Sequence, residues 1–493
     1  MTKFPATIDL LVSGGDSRIT PNPQTGLNKY GCSTTPDNEL VALGSSTASV
    51  ISLRGMAAAQ ALRDRCAQRT LHHTQQDVYD QQMQSLRSEL LSLCGLSEKD
   101  KVDALFSASG TDIHLLLAQW LQPDLTVMID PTETGSGLAA ALQGRHFSSD
   151  STCAGGAPES TSVSDWHGEL HTLVAREQNG MPRDIASVDA ELFSIVEQAI
   201  QASKRLLLIL TDVCKTGLIF PSITSIKKLQ QRWPEQILVV VDACQFRLSK
   251  QSLRAYLAHD FCIALTGSKF LGGPTFSGAL LIPHSVANAL QDQVLHEGAR
   301  AYSHAADWPI GYKASLNLHP GTNFGLLLRW EAAIAELREF AQLNEQQIRP
   351  FLKAFNKAVS DRLEQDPHFE ALSNPALDRS EIGSAGNWDE EQTIFPFIIY
   401  RVTSSGEKQP LSRSESATVY QELQRPADAQ QHRRFQLGQP VLCGERIGVP
   451  VSALRLCVSA PMLVSAQEKS AANLMIAEAL LALDRIIELI DTL

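Results

Sequence analysis

The 493-residue sequence has no long hydrophobic run and no regular spacing among its cysteines. No stretch approaches the roughly 18 uninterrupted apolar residues of a membrane-spanning helix. The amino-terminal apolar run is too short for a signal peptide and is interrupted by proline and acid. The nine cysteines are scattered without a CxxC pair, which is typical of reduced thiols. These absences predict a soluble, cytoplasmic protein with no membrane partner.

An excess of positive charge and the common nucleotide-binding motifs are also missing. The formal net charge is -12, so the composition does not favour nucleic acid or an anionic membrane as a partner. Neither GxGxxG after a strand nor GxxxxGK[ST] occurs, which argues against a nicotinamide or ATP enzyme. His72 and His73 cannot share one helix face and have no acid or cysteine at ligand spacing, so no metal site is predicted.

The most informative stretch contains two buried strands, one ending in an acid and the other followed by a lysine. Residues 237–241 form a continuous β-branched and aliphatic run that predicts a parallel strand and places Asp242 at its carboxyl end. After a predicted helix, Ser249 to His259, the strand 261–265 leads into Thr266, Gly267, Ser268 and Lys269. Sites in open α/β sheets gather at the carboxyl ends of strands, so the acid and the amine are expected to lie together.

This pairing predicts a particular chemistry. A partly desolvated lysine can lose its proton and attack a carbonyl, and an aspartate can keep a ring nitrogen protonated. Pyridoxal 5'-phosphate requires both groups, so we predict it as the cofactor. Taken alone, each residue has a simpler interpretation that needs no cofactor: Asp242 is a buried strand-end acid, and Lys269 is a solvated turn residue.

A third element of the predicted site lies upstream. The strand 102–106 is followed by a small polar turn containing Ser109, Gly110 and Thr111, and then by an apolar helix. The free N–H groups of a first helical turn, together with the two hydroxyls, can bind a phosphate dianion. The alternative is that Thr111 or Asp112 is an ordinary helix N-cap.

These residues resemble the fold-type I pyridoxal-phosphate enzymes, most closely the class V aminotransferase and cysteine desulfurase group. The resemblance rests on residues 242–245, 266–269, Gly273-Pro274 and Gly110-Thr111. It implies an α/β fold with a mainly parallel seven-stranded sheet in a large domain and a smaller α+β carboxyl-terminal domain. We expect an amino-terminal arm at 1–50, the large domain at 51–335 and the small domain at 336–493.

The resemblance also assigns roles to individual residues. Asp242 pairs with the pyridine nitrogen, Gln245 contacts the ring hydroxyl, Lys269 forms the Schiff base, and Thr266 and Ser268 touch the phosphate. The family uses an arginine for the substrate α-carboxylate, which falls on Arg455; the alternative for Arg455 is a surface ion pair. A Gly-Thr pair that reaches the phosphate of the other subunit falls on Gly321-Thr322 and implies a homodimer; its alternative is a helix N-cap.

The sequence departs from the family at three positions. Thr134 follows Glu133 where desulfurases have the histidine that stacks on the cofactor, and His146, Trp166 and His167 are unassigned candidates nearby. Cys214 occupies the slot of an asparagine. In residues 435–440, which resemble the desulfurase Cys-x-Gln-Pro loop, Leu437 stands near the slot of the catalytic cysteine and Cys443 is displaced. A persulfide-forming desulfurase is therefore disfavoured.

Several segments carry weaker expectations. Residues 11–49 are expected to form turns, with Asn28 to Gly31 contacting the mouth of the active site, and residues 148–164 to form a surface loop or flap. In the small domain the patterns predict strands at 393–402 and 454–459 and helices at 416–425 and 465–491.

The predicted activity is Schiff-base chemistry on an amino-acid substrate, with transamination as the leading hypothesis. The alternative reaction is β-elimination by a carbon–sulfur or carbon–carbon lyase acting on a cysteine conjugate, a sulfoxide or a kynurenine-type substrate. A non-catalytic binding protein with the same fold is the alternative of a different class. The presence of both Lys269 and Asp242 argues against it.

Overall fold

The computed structural model describes residues 4–153, 157–426 and 433–492. The chain alternates helices with strands that join two separate sheets. The strands are β1 (Leu40–Leu43), β2 (Asp103–Ser107), β3 (Leu125–Ile129), β4 (Glu169–Leu173), β5 (Leu206–Asp212), β6 (Ile219–Phe220), β7 (Ile237–Ala243), β8 (Cys262–Thr266), β9 (Gly278–Ile282), β10 (Phe369–Ala371), β11 (Ile394–Val402), β12 (Lys408–Pro410), β13 (Arg434–Arg446) and β14 (Val449–Cys457). The helices are α1 (Thr7–Leu11), α2 (Leu53–Arg69), α3 (Gln75–Leu93), α4 (Gly110–Leu121), α5 (Leu138–Leu142), α6 (Ile185–Gln201), α7 (Ile223–Arg232), α8 (Lys250–Ala258), α9 (His284–Leu290), α10 (Phe324–Phe340), α11 (Glu345–Gln365), α12 (Arg413–Glu422), α13 (Ala460–Ser465) and α14 (Lys469–Ile490).

The first sheet has the strand order β2-β9-β8-β7-β5-β3-β4, with the short β6 paired to β5. The pairs β3/β4, β3/β5, β5/β7 and β7/β8 are parallel, and β9 is antiparallel to both of its neighbours. The predicted mainly parallel, seven-stranded sheet is therefore confirmed. Its carboxyl edge carries the ends of β5, β7 and β8, which is where the predicted acid and lysine lie.

Both faces of this sheet are buried, which explains why its strands read as continuous apolar runs. Successive residues of β7 belong to different hydrophobic clusters: Val239 and Val241 pack into one and Val240 into the other. Side chains alternate across a strand, so a strand between two helical layers needs apolar residues at every position. Helices α7 and α8 pack on the first face, and α4 and α5 contribute to the cluster on the second.

The second sheet has the order β1-β13-β14-β11-β10, with β12 paired to β11. Helices α11, α12 and α14 pack beside it. Its strand β1 comes from the amino-terminal arm and runs parallel to β13, with Leu40 opposite Arg434. The expectation that residues 11–49 form only turns is therefore wrong, because this short strand has a partner almost 400 residues away.

Other differences concern element boundaries. Residues 435–440 lie within β13 rather than in a loop, at a register irregularity between Gly438 and Val441. The predicted helix 465–491 corresponds to α14, which begins four residues later, and the separate short helix α13 precedes it; helix α12 begins and ends three residues before the predicted 416–425. Part of the predicted loop 148–164, residues 154–156, lies outside the described residues. The domain boundary near 335 stays a prediction, and α10 crosses it.

Among the described residues, no helix is both long enough and apolar enough to cross a membrane.

Candidate active site

A cavity of about 440 Å³ opens at the carboxyl edge of the first sheet. Its wall combines the turns after β3, β5, β7 and β8 with residues of the amino-terminal arm and of β14. Ten of the predicted site residues line it together: Ser109, Gly110, Thr111, Thr134, Asp242, Gln245, Thr266, Ser268, Lys269 and Arg455. Thr322 does not line it; this residue lies just before α10 and had been predicted to reach the partner subunit's site.

Asp242 and Lys269 enter the cavity from adjacent parallel strands. In the sheet register Asp242 lies between Thr211 of β5 and Ala264 of β8, and Lys269 follows β8 by three residues. Asp242 is buried and accepts the Cys244 backbone N–H at 3.1 Å. The backbone carbonyl of Lys269 accepts the Ser49 hydroxyl at 2.8 Å, which anchors the lysine turn to the arm.

The predicted anion site is the amino terminus of α4. Ser109 is the N-cap, not Thr111 or Asp112, and its hydroxyl accepts the backbone N–H of Asp112 at 3.3 Å. Gly110 is packed so closely that an added Cβ would lie 2.7 Å from Cys244 Sγ. Only glycine therefore lets the start of the helix approach the end of β7. The N–H groups of the first turn other than that of Asp112, which bonds Ser109, can serve as anion donors.

Four buried polar atoms in the cavity wall have no hydrogen-bond partner among the described residues. They are the hydroxyls of Thr134 and Thr211, the Nε2 atom of His114 and the Nε atom of Arg455. His114 Nδ1 lies 2.7 Å from the Gly110 carbonyl, so the ring donates there and Nε2 is left for another partner. Buried polar atoms are usually satisfied, so this group indicates that the cavity is shaped for a polar ligand.

His114 is a site residue that the sequence reading missed. It lies four residues after Gly110 in α4, so the helical period places both on one face, and this spacing could have identified it. The unassigned candidates His146, Trp166 and His167 do not line the cavity. His146 instead bonds the Tyr302 hydroxyl at 2.6 Å.

Two of the residues predicted to contact the cofactor already make hydrogen bonds within the protein. The Thr266 hydroxyl donates to the Cys244 carbonyl at 2.6 Å, so its only proton is used. The Gln245 amide donates to the Ser46 carbonyl at 2.9 Å, which leaves one N–H free. Both residues stiffen the turn around the cavity as well as lining it.

Arg455 is a buried cation without an acidic partner among the described residues. Its side chain is 1% exposed, and it donates to the Gln439 carbonyl at 2.5 Å, the Thr47 hydroxyl at 3.0 Å and the Lys215 carbonyl at 3.2 Å. Its Nε has no partner in the same set of residues, and burial lowers its pKa. The alternative of a surface ion pair is therefore wrong. An uncompensated buried guanidinium is a binding group for an anion.

Lys215 is a second basic group that the sequence reading did not assign. It follows β5, lines the cavity, and donates from Nζ to the Thr132 carbonyl at 3.2 Å. Burial lowers its pKa to about 8, and repulsion from Arg455 and Lys269 adds to the effect. A local motif does not mark this lysine; only the fold brings it to the site.

Glu133 is held in a closed network at the cavity wall. It pairs with Arg176 at 3.1 Å and accepts the Thr216 hydroxyl at 2.7 Å and the Cys214 thiol at 3.0 Å. Burial and the adjacent carboxylate raise the pKa of Cys214. Cys214, which occupies the position of an asparagine in the family that the sequence resembles, thus has a structural role here.

Among the residues that the structure describes, no cysteine with a lowered pKa lines the cavity. The cysteines that line it are Cys214 and Cys244, and burial raises the pKa of both. Gln439 and Pro440 of β13 reach the cavity, but Cys443 does not, and burial raises its pKa to about 12. A thiolate nucleophile requires a lowered pKa, so neither lining cysteine is activated as one.

The amino-terminal arm forms one side of the cavity. Lys29 and Tyr30 of the predicted contact segment line it, and the Asn28 amide donates to the Thr275 hydroxyl at 3.0 Å. Arg18 pairs with Asp16 at 2.6 Å and lies over the rings of Phe147 and Phe276.

Comparison of the sequence with protein-family models and with curated proteins found no match. The structure, however, is similar to many solved structures. One is a cystine C–S lyase, C-DES, in complex with its product cysteine persulfide, with a TM-score of 0.55, 15% identity, and coverage of 90% of this chain and 97% of that one. The cysteine desulfurase CsdA of Escherichia coli gives a TM-score of 0.52 at 16% identity, covering 91% and 95%.

A third similar structure is TDC of Oryza sativa with PLP, with a TM-score of 0.54, 12% identity, and coverage of 92% and 83%. At these identities the comparison concerns the fold alone. The fold of this chain is that of the fold-type I pyridoxal-phosphate enzymes, as the sequence predicted.

Proposed function

We propose that this protein is a pyridoxal-phosphate-dependent enzyme that acts on an amino-acid substrate, with transamination as its reaction. The observation that carries the proposal is that Lys269, Asp242 and the amino terminus of α4 line one cavity. An amine, an acid and an anion site are the three fixed points that this cofactor needs. When bound, the cofactor supplies an electron sink for carbanion chemistry.

The described residues can be given roles on this basis. Lys269 would hold the cofactor aldehyde and, once freed, carry a proton to or from the substrate α-carbon. Asp242 would keep the ring nitrogen protonated, and Gly110 and Thr111 would bind the phosphate through backbone N–H groups and the Thr111 hydroxyl. Ser109 would reach the phosphate with its hydroxyl only after releasing the Asp112 carboxylate. Arg455 would bind the α-carboxylate, because it is buried and has no acidic partner among the described residues.

Further contacts complete the proposed site. Gln245 has a free amide N–H for the ring hydroxyl, and Ser268 and Thr134 present hydroxyls to the cavity. Thr266 would support the lysine turn, and would reach the phosphate only after releasing the Cys244 carbonyl. His114 lines the cavity with its Nε2 atom unpartnered among the described residues. We further propose a homodimer in which Thr322 contacts the partner's phosphate, and a cytoplasmic location, which the nine free cysteines favour.

The cofactor proposal is tested by absorbance and borohydride reduction. Purified protein mixed with pyridoxal phosphate should turn yellow, borohydride should bleach it, and a peptide that contains Lys269 should carry the reduced adduct. Lys269→Ala should lose the band, whereas Lys227→Ala should keep it, because Lys227 bonds the Glu381 carbonyl outside the cavity. Protein that stays colourless with added cofactor would refute the proposal.

The reaction is tested by the products of a single turnover. Transamination releases a keto acid and leaves the cofactor aminated, whereas β-elimination releases ammonia with pyruvate, and a kynurenine-type cleavage releases alanine. The second candidate, a β-eliminating lyase, is kept because one similar fold is a C–S lyase. Colour without turnover of any amino acid would favour the non-catalytic alternative.

A further inference from the structure

The cavity carries far more positive charge than the molecule around it. The whole chain has a net charge of -12, yet six of the side chains lining the cavity are basic and two are acidic. The basic residues are Arg18, Lys29, Lys215, Lys269, Arg413 and Arg455, and the acidic residues are Glu133 and Asp242. Glu133 is already paired with Arg176, which lies outside the lining set. The cavity is therefore built for more than one negative group.

Two of these cations lie side by side and have no acidic partner among the described residues. Arg455 is buried and donates to the backbone carbonyl of Lys215 at 3.2 Å. The Lys215 amine donates only to the Thr132 carbonyl among its described neighbours, so two of its three N–H groups are free. Two adjacent cations at a partly desolvated site repel each other, and anionic ligands relieve that repulsion.

Charged groups from several neighbouring elements surround Lys215. Arg455 on β14 and Lys269 after β8 disfavour its charged form, whereas Glu133 after β3 and its chain neighbour Cys214 favour it. Glu133 is turned toward Arg176, Thr216 and Cys214 and does not bond the lysine amine. The positive charge of Lys215 is thus left facing the cavity.

The proposed function accounts for some of these cations but not for Lys215. Lys269 and the amino terminus of α4 belong to the cofactor, Arg18 is paired with Asp16, and an amino-acid α-carboxylate neutralises Arg455. Lys29 and Arg413 are exposed, so water and salt screen them. Lys215 remains, partly buried and next to Arg455.

We infer that the substrate is an amino acid with a second anionic group, a carboxylate or a sulfinate on its side chain, and that Lys215 binds this group while Arg455 binds the α-carboxylate. The inference rests on the proposed function and names its substrate class. Two charge-assisted contacts at fixed positions would also orient the substrate in the cavity.

The test is a titration of the cofactor absorption band of the holoenzyme with amino acids. Aspartate, glutamate and cysteine sulfinate should bind at least about tenfold more tightly than asparagine, glutamine and alanine. The tighter of the carboxylate and sulfinate ligands identifies the second group. Lys215→Gln keeps length and polarity but removes the charge, so it should reduce the preference for acidic ligands by about tenfold and change alanine affinity by less than about twofold.

The matched control is Lys250→Gln. Lys250 also donates from Nζ to a backbone carbonyl, that of Ala341 at 3.3 Å, but it is exposed and lies outside the cavity. It should keep the wild-type preference. Equal affinity for acidic and neutral amino acids in the wild type, or an unchanged preference in Lys215→Gln, would overturn the inference and leave the proposed function standing. A cofactor band that no amino acid perturbs would overturn both.

Discussion

Asp112 illustrates how a single residue adjusts the proposed anion site. It lies in the first turn of α4, is fully buried, and accepts the Thr152 hydroxyl at 2.8 Å as well as the Ser109 hydroxyl. Burial raises its pKa to about 6, because desolvation outweighs these hydrogen bonds. A phosphate bound at the helix terminus would favour the protonated form of Asp112 further, because two like charges there repel each other.

The raised pKa predicts a defined pH dependence. The folded state holds the Asp112 proton up to about pH 6 and the unfolded chain only to about 3.8, so this group costs stability as pH rises through that window. Asp112→Asn should therefore become more stable relative to the wild type as the pH rises from about 4 to 6, by up to about 3 kcal/mol of unfolding free energy. It should keep this advantage at higher pH. Urea unfolding midpoints of the apoprotein across this range measure it.

The control for this experiment is an aspartate whose pKa is shifted in the opposite direction. Asp184 is the N-cap of α6, and its hydrogen bonds to the Ser187 side chain and backbone lower its pKa. Its contribution is present above the unfolded pKa and is lost as pH falls, so Asp184→Asn should lose relative stability as pH rises. A pH-independent effect of Asp112→Asn would show that Asp112 titrates normally.

At the scale of elements, the end of β5 is tied to the carboxyl-terminal part of the chain by a buried ion pair. Arg379 donates to both oxygens of Asp212 at 2.5 and 2.7 Å, and the Tyr256 hydroxyl donates to the same carboxylate at 2.7 Å. Both charged side chains are at most 1% exposed. Lys215 follows β5, and Glu133 bonds Thr216 just after it. The Arg379–Asp212 pair therefore also helps to hold the cavity wall.

Removing one partner of this pair should be strongly destabilising. Arg379→Met leaves Asp212 buried and without its cation, and should cost about 3–5 kcal/mol of unfolding free energy. The control Arg232→Met breaks an exposed pair with Glu197 and should cost about 1 kcal/mol or less. Chemical unfolding of the three proteins measures both, and equal losses would contradict the assignment.

At the scale of the whole molecule, the amino-terminal arm joins the two sheets and closes the cavity. Arg329 of α10, which is fully buried, donates to the carbonyls of Leu11, Ser13 and Gly14 of the arm and to that of Phe276. Farther along, Lys29 and Tyr30 form cavity wall, and β1 pairs with β13.

Truncation tests this role of the arm. Deleting residues 1–31 leaves β1 but removes three of the four carbonyls around Arg329, so the unfolding midpoint should fall and cofactor affinity should drop several-fold. Deleting residues 1–3 stops before Phe4, whose ring contacts Phe324, and should leave the unfolding midpoint unchanged and alter cofactor affinity by less than about twofold. Differential scanning calorimetry and equilibrium dialysis with pyridoxal phosphate give the two readouts, and equal behaviour of both truncations would exclude the role.

The sequence by itself determined the core of the first sheet and the three fixed points on its edge. A strand buried on both faces needs a continuous apolar run, and the residue after such a run lies at the sheet edge, so Asp242, Lys269 and the start of α4 follow from local pattern. The family resemblance rests on the same local motifs, and from them it predicted the overall fold.

Only the tertiary structure decided which other side chains face those points. His114, Lys215 and the arm reach the cavity, and β1 finds β13, through contacts between segments far apart in the chain. Arg455 was named from resemblance, but its lack of an acidic partner among the described residues became visible only once its surroundings were known. Local periodicity sets which residues form a strand or helix, whereas long-range pairing sets their neighbours, and burial and charge depend on the neighbours.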